Sequence, residues 1–170
     1  MYKYIFFIQL WTFTAFAQGP LSLIPLSSVT HTAIQSGEWG NPDTWGGSLP
    51  GDDATLHIPP EFVVTISEQF EQRYASLLLE GTLKFANDVS TSLYIETIVG
   101  SMQSIIEIGT KSQPIEPDVS AGIVFIDRGP IDLNADFQQF GKGLIMMGKT
   151  DVCGAFKTSW MTLASAPSMG

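Results

Sequence analysis

The sequence predicts an all-β fold of short strands stacked in parallel, with a β-sandwich as the alternative. From residue 54 onward, short aliphatic runs end at Gly, Asp or Asn, and none has the spacing of three and four that indicates an amphipathic helix. Neither Asn-Gly nor Asp-Gly, the preferred hairpin turns, occurs in the chain. Consecutive aliphatic residues at 77–79, 105–106 and 145–147 are typical of parallel strands buried on both faces. The repeat length is irregular, so periodicity alone does not exclude the sandwich.

Residues 1–17 have the composition of a secretory signal peptide. Lys3 precedes an apolar run, and Ala15-Phe16-Ala17 places small residues three and one before the expected cleavage point. A membrane anchor would need about 20 apolar residues, and Gln9 interrupts this run. We therefore expect cleavage after Ala17 and a secreted or cell-surface protein, with no membrane span once the peptide is removed. Residues 18–30 are predicted to be a linker or a first edge strand.

Residues 54–58 and 62–66 are predicted strands, because apolar side chains recur at every second position along each of them. Pro59 and Pro60 prevent one continuous strand. The polar residues 67–74 could form one helical turn or a loop, and we favour the loop. Six further aliphatic runs are predicted to form strands: 75–81, 82–88, 92–100, 104–110, 121–127 and 143–150. A last apolar strand is expected at 159–163, and we expect the sequence to be the N-terminal piece of a longer stack.

Two tryptophans, Trp39 and Trp45, lie in a loop at 36–53 that is otherwise rich in Gly, Pro, Asn and Asp. A flat aromatic face suits a sugar ring, so both are candidate ligand-binding residues. The alternative is that they fill the first coil of the stack, where burial of each ring would contribute about 2–3 kcal/mol. We favour packing, since aromatic residues in turn-rich segments usually serve it.

The charge of the chain limits its partners. With 17 acidic and 8 basic residues the formal net charge is −9, which argues against nucleic acid or anionic lipid because both need clustered Lys and Arg. Among the few cations, Arg128 lies in an Asp-Arg-Gly-Pro turn. Arg128 is a candidate ligand-binding residue for a glycan carboxylate, or a catalytic residue. We favour the alternative of a local ion pair beside Asp127 and Asp132, which contributes less than about 1 kcal/mol if exposed.

Asp52 and Asp53 are candidate metal ligands, because exposed acids in a turn suit calcium; no other cofactor is indicated. Adjacent side chains of an extended chain point to opposite sides, so these two carboxylates alone cannot face one sugar as a glycosidase pair. We favour the alternative that they form a turn at the start of a strand. The single cysteine, Cys153, rules out a disulfide within this chain, and no catalytic residue is assigned.

Five motifs occur in order: Ser-Gly-Glu-Trp at 36–39, Pro-Asp-Thr-Trp at 42–45, Pro-Gly-Asp at 50–52, Gly-Thr-Leu-Lys-Phe at 81–85 and Ile-Gly-Thr at 108–110. They resemble the G-eight domain, a family named for its eight glycines, over residues 31–127. The resemblance implies an extracellular module that starts a right-handed parallel β-helix, with 128–170 as a further coil similar to that of bacterial secreted members. It also implies eight signature or structural positions: Gly37, Trp39, Pro42, Trp45, Pro50, Gly51, Gly81 and Gly109.

The family includes a hyaluronan-binding protein linked to cell migration, a transmembrane hyaluronidase and the fibrocystins. The resemblance therefore implies an extracellular polysaccharide as the partner. Three functions are open: a scaffold module that binds polysaccharide at the head of a β-helix, an enzyme that cleaves it at an active site completed downstream, and a surface adhesin without glycan activity. The acidic charge favours a neutral glycan or a calcium-dependent interaction.

Overall fold

The computed structural model describes residues 23–134, 136 and 139–156, which form a stack of short strands. In chain order the strands are β1 (His31–Thr32), β2 (Gly37–Glu38), β3 (Thr55–Ile58), β4 (Val63–Ile66), β5 (Arg73–Leu79), β6 (Thr82–Phe85), β7 (Thr91–Gly100), β8 (Ile105–Ile108), β9 (Ala121–Phe125), β10 (Gly143–Met146) and β11 (Lys149–Val152). Short 3-10 turns occur at Leu26–Ser28 and Pro42–Trp45. The predicted signal peptide and the predicted strand at 159–163 lie outside the described residues.

Two sheets run along the stack, and each coil contributes to both. The five coils are, in chain order, β1-β2, β3-β4, β5-β6, β7-β8 and β9-β10-β11. The first sheet has the order β1-β3-β5-β7, with β9 and β10 both paired to β7, and the second has the order β2-β4-β6-β8-β11. All of these strand pairs are parallel. The predicted all-β, parallel stack is therefore confirmed, and its pairing distinguishes it from a sandwich of antiparallel hairpins.

The core lies inside the coils, where side chains stack in register from one coil to the next. In the first sheet Leu56 pairs with Leu77, and Leu77 pairs with Ile98. In the second sheet Val64 pairs with Leu83 in the same way. All five side chains are fully buried, and each such burial contributes about 1.5–3 kcal/mol. The stack is therefore stabilised by columns of aliphatic residues that cross the coils.

Leu78 and Val99 are also buried, although they alternate with the residues of this core. They pair with each other across β5 and β7, and Ile24 packs on them with only 3% of its own surface exposed. The first sheet is thus covered on both faces at this point. This explains why aliphatic residues occupy consecutive positions at 77–79.

Several predicted strands end earlier in the structure, such as 82–88, which is β6 at Thr82–Phe85. Two predicted boundaries differ more substantially. The run at 143–150 forms two strands rather than one, because the chain turns at Met147 and Gly148 from the first sheet into the second. Gly148 permits this turn, since a Cβ there would lie 2.1 Å from the Ser104 carbonyl oxygen. The predicted loop at 67–74 ends earlier than expected, since β5 begins at Arg73.

Two signature glycines lie where neighbouring coils approach closely. Gly81 is in the turn between β5 and β6, and a Cβ there would be 2.2 Å from the Pro59 carbonyl oxygen and 2.4 Å from that of Phe62. Gly109 has a φ of 73°, and its Cβ would be 2.3 Å from the Cys153 carbonyl oxygen. A side chain at either position would push two coils apart.

Replacing Gly81 with Ala should therefore destabilise the stack. The added methyl group would meet backbone atoms of the preceding coil, and overpacking of this kind costs about 1–3 kcal/mol. Since 1 kcal/mol shifts Tm by about 2–4 °C in a domain of this size, thermal unfolding followed by circular dichroism should show a fall of several degrees. Gly51→Ala is the matched control, because nothing lies within 4 Å of a Cβ at that signature glycine. Equal Tm values for the two variants would contradict the close-approach argument.

Candidate functional site

Trp39 and Trp45 lie inside the stack rather than on its surface. They are 1% and 4% exposed, and their rings meet edge to face with centroids 5.1 Å apart. The Trp39 Nε1–H donates to Tyr74 Oη at 3.0 Å, and the Trp45 Nε1–H donates to the Trp39 carbonyl oxygen at 2.8 Å. The structure thus places both rings in packing positions, with their N–H groups satisfied internally.

Turn chemistry orients this tryptophan loop. Asn41 Oδ1 accepts a hydrogen bond from the Asp43 N–H at 3.0 Å and caps the 3-10 helix Pro42–Trp45. Gly46 ends the helix with a φ of 79°, a left-handed conformation that glycine adopts readily. The short helix therefore begins and ends within one turn, and it places Trp45 at its last position against Trp39.

Asp52 and Asp53 form the turn before β3 and have different partners. Asp52 Oδ1 accepts a hydrogen bond from the Arg73 N–H at 2.7 Å, while the Asp53 N–H donates to the Arg73 carbonyl oxygen at 2.9 Å. Asp53 Oδ1 lies 2.5 Å from Arg128 Nη2. Within the described residues, no three His, Cys, Asp or Glu side chains are grouped in a way that could hold a metal ion. The acidic turn thus joins the second coil to the third and also reaches Arg128.

A cleft of about 320 Å³ lies on the outer face of the first sheet. Small side chains on or beside β5 and β7 form its floor, and apolar side chains from two separate segments form its walls. The floor contains Ala75, Ser76 and Thr97, and the walls contain Leu23, Ile24, Pro130 and Ile131. The cleft therefore combines hydroxyl groups with apolar surface, and five charged side chains complete its lining: Glu96, Arg128, Asp132, Asp136 and Lys142.

Arg128 connects the cleft to two earlier coils. Its Nη2 lies 2.5 Å from Asp53 Oδ1, and its Nε lies 4.0 Å from Glu96 Oε2. These partners come from the turn before β3 and from β7, rather than from Asp127 or Asp132, which are its neighbours in the sequence. A guanidinium carries five N–H donors, so two carboxylate contacts leave donors for a ligand in the cleft.

Lys142 has a different role, because three acceptors surround its ammonium group. Nζ lies 3.0 Å from Glu96 Oε1 and 2.6 Å from Asp127 Oδ1, and it also donates to the Gly129 carbonyl oxygen. An ammonium has three N–H donors, so these contacts use all of them. The hydrogen bond from Lys142, helped by the Gly129 N–H, lowers the pKa of Asp127. The same bond raises the pKa of Lys142, with a further contribution from Glu96.

The other carboxylates of the cleft hold its shape. Asp136 Oδ1 accepts a hydrogen bond from the Phe140 N–H at 3.0 Å, and its Oδ2 accepts one from the Gly141 N–H at 2.8 Å. Asp132 Oδ1 accepts a hydrogen bond from the Asn134 N–H at 2.9 Å. These two acids therefore bind backbone N–H groups of their own segment.

The structure brings together only part of the predicted site. Arg128 and Asp53 meet at the cleft, whereas Trp39 and Trp45 lie in the core and Asp52 binds the backbone of β5. Sequence reasoning missed Glu96 and Lys142. A signal for Glu96 was present, since it is the one charged residue in the apolar run 92–100.

The family model for the G8 domain matches residues 44–164, which is most of the chain. The chain belongs to the G8 domain family. G8 domains are extracellular modules, and among the described residues no helix is long and apolar enough to cross a membrane. No curated protein and no solved structure matches the chain.

Several of the positions expected to carry the family signature pack within the stack, whereas other residues line the cleft. Gly37 lies against Thr44, with 2.5 Å between an added Cβ and Thr44 Oγ1. Gly81 and Gly109 lie at close approaches between coils, and Trp39 and Trp45 are in the core. The charged residues of the cleft lie outside these motifs, although the family match at 44–164 covers them as well.

Replacing Trp45 with Ala should severely destabilise the G8 domain. The change removes a buried ring together with the donor to the Trp39 carbonyl oxygen, and truncation of a buried Trp costs about 3–5 kcal/mol. Urea unfolding followed by circular dichroism measures the loss. Leu49→Ala is the control in the same loop: Leu49 is 46% exposed, so its truncation should change stability by about 0.5 kcal/mol at most. A Trp45→Ala variant as stable as the control would show that the ring does not support the fold.

The Lys142–Asp127 ion pair should stabilise the cleft only within a defined pH range. The pKa of Asp127 is below its ordinary value of 3.8, so its contribution is present above pH 3.8 and is lost as the pH falls through the lowered pKa. The pKa of Lys142 is above its ordinary value of 10.5, so its contribution is present below pH 10.5 and is lost as the pH rises through the raised pKa. The difference in Tm between the wild type and Lys142→Met should therefore be widest near neutral pH.

The control for this pH series is Lys111→Met, which removes an exposed lysine from the loop after β8. Its Tm difference from the wild type should not follow the protonation of Asp127. If the difference for Lys142→Met is equally flat from acid to alkaline pH, then the ion pair does not hold the cleft.

Proposed function

We propose that this chain is a secreted G8 module that binds an extracellular polysaccharide in the cleft and serves as a scaffold at the head of a β-helix. The observation that carries the proposal is the placement of Arg128. Asp53 and Glu96 hold its guanidinium at the cleft, while its remaining N–H donors are left for a ligand. Sugar hydroxyl groups accept such hydrogen bonds, and the apolar walls suit the C–H faces of a sugar ring.

A neutral glycan suits this cleft better than a polyanion. Arg128 and Lys142 are both already paired with carboxylates, and a net charge of −9 repels an anionic polymer at long range. Ser76 and Thr97 add hydroxyl groups to the floor. The proposal includes a dependence on calcium through the acidic turn at Asp52 and Asp53, since carboxylate oxygens are ligands that this cation prefers.

Binding to a panel of neutral and acidic polysaccharides, with and without a calcium chelator, tests the proposal. We expect the protein to bind at least one neutral glycan in calorimetric titrations. Arg128→Ala should weaken that binding by about 10- to 100-fold, because a hydrogen bond from a charged group contributes about 1.5–3 kcal/mol. Loss of binding on chelation would add calcium to the mechanism.

Lys84→Ala is the matched control for Arg128→Ala. Lys84 pairs with Glu107 at 2.7 Å between β6 and β8 of the second sheet, so its removal changes the net charge equally without touching the cleft. An unchanged affinity in this variant would attribute the loss to Arg128. Equal losses in both variants, or no binding to any glycan, would reject the proposal.

The same samples distinguish binding from cleavage. Size-exclusion chromatography of each polysaccharide after prolonged incubation shows whether the polymer becomes shorter. Unchanged polymer length together with saturable binding is the expected result for a scaffold module. Shortened polymer would favour the enzyme, and cell attachment without glycan binding would favour the adhesin.

A further inference from the structure

The fifth coil of the stack is interrupted, and the register shows where. Phe125 at the end of β9 pairs with Ile95, and Gly143 at the start of β10 pairs with Thr97. The Ile126 N–H donates to the Ile95 carbonyl oxygen at 3.0 Å, which continues the ladder of β9 by one residue. Residues 126 and 143 therefore occupy successive places along β7, and the described residues between them, 127–134, 136 and 139–142, lie outside the sheet.

The preceding coils pass this point with no added segment, although the pairing between β5 and β7 skips Ala75 and Glu96. β7 extends from Thr91 to Gly100 as one strand, and β5 pairs with it on both sides of the same place, through Tyr74 with Ile95 and Ser76 with Thr97. Relative to these two coils, the fifth coil contains one additional segment. Its two flanks retain the register that an uninterrupted strand would have.

One ammonium group joins the two ends of this segment to the sheet. Lys142, at its C-terminal end, contacts Asp127 and the Gly129 carbonyl oxygen at its N-terminal end, and it contacts Glu96 on β7 below. Closely spaced ends are the property of compact loops that fold on their own side chains. Within the segment, Asp136 accepts hydrogen bonds from the Phe140 and Gly141 N–H groups.

We infer that residues 127–142 are a recognition loop inserted into a complete coil, on which the fold of the stack does not depend. The loop supplies Arg128 and one apolar wall of the cleft, while the sheet supplies only the floor and Glu96. It therefore determines which glycan the cleft accepts. This second part rests on the proposed function, whereas the dispensability of the loop does not.

Deletion of residues 127–142, with Ile126 joined directly to Gly143, tests both parts. We expect a cooperative unfolding transition with a Tm within about 5 °C of the wild type, the same β-type circular dichroism, and a loss of glycan affinity of at least about tenfold. A second variant keeps Asp127 and Lys142 and replaces residues 128–141 with a short Gly-Ser linker. In this variant the ion pair between Asp127 and Lys142 can still hold the two ends of the shortened loop together.

The control deletion removes residues 67–72, the connection from β4 in the second sheet to β5 in the first. The stack cannot form without that connection, so this variant should lose the cooperative transition. If both loop variants also lose it, the loop is part of the fold and the inference is wrong.

The binding results separate this inference from the proposed function. A loop deletion that folds and binds glycan as tightly as the wild type would overturn the recognition role and leave polysaccharide binding intact. A wild-type protein that binds no glycan would overturn the proposed function and the recognition role together. The folding of the two loop variants would still decide whether 127–142 is an insertion.

Discussion

In-register parallel pairing between successive coils is the constraint on which the rest of the structure depends. It places Leu56, Leu77 and Ile98 in one column, so the hydrogen-bonded ladder and the burial of aliphatic side chains stabilise the same geometry. Strand spacing of about 4.8 Å leaves little room where turns stack. Glycine is therefore required at Gly81, where a Cβ would meet the carbonyl oxygen of Pro59.

The same constraint creates surfaces that other residues must cover. A column of aliphatic side chains on the outer face of the first sheet lies under Ile24. Near the start of the stack, the ring of Trp39 packs edge to face against the rings of both Trp45 and Tyr74. Burial raises the pKa of Tyr74, although its hydrogen bond with Trp39 acts in the opposite direction. Thus Trp39 and Trp45 serve packing, and the cleft proposed to bind the ligand lies on the outer face of the first sheet.

The cleft depends on charges that only the stack can assemble. Glu96 lies on β7 at the place where the fifth coil leaves the sheet, and it contacts both Arg128 and Lys142. Lys142 has all three donors in use and therefore holds the cleft together. Arg128 keeps donors for a ligand. The core of the stack and the lining of the cleft are thus built by different residues, and a shared fold does not by itself fix what a chain binds.

The sequence by itself determined the fold class, the family and most strands, because alternation, aliphatic runs and turn residues act over a few neighbouring positions. It also singled out Arg128 and the acidic turn. Only the tertiary structure decided that Trp39 and Trp45 are buried, that 143–150 crosses from one sheet to the other, and that Arg128 pairs with Asp53 and Glu96. These outcomes depend on how many residues separate successive coils and on where the chain returns to the sheet. Local patterns do not encode the register that brings distant charges together.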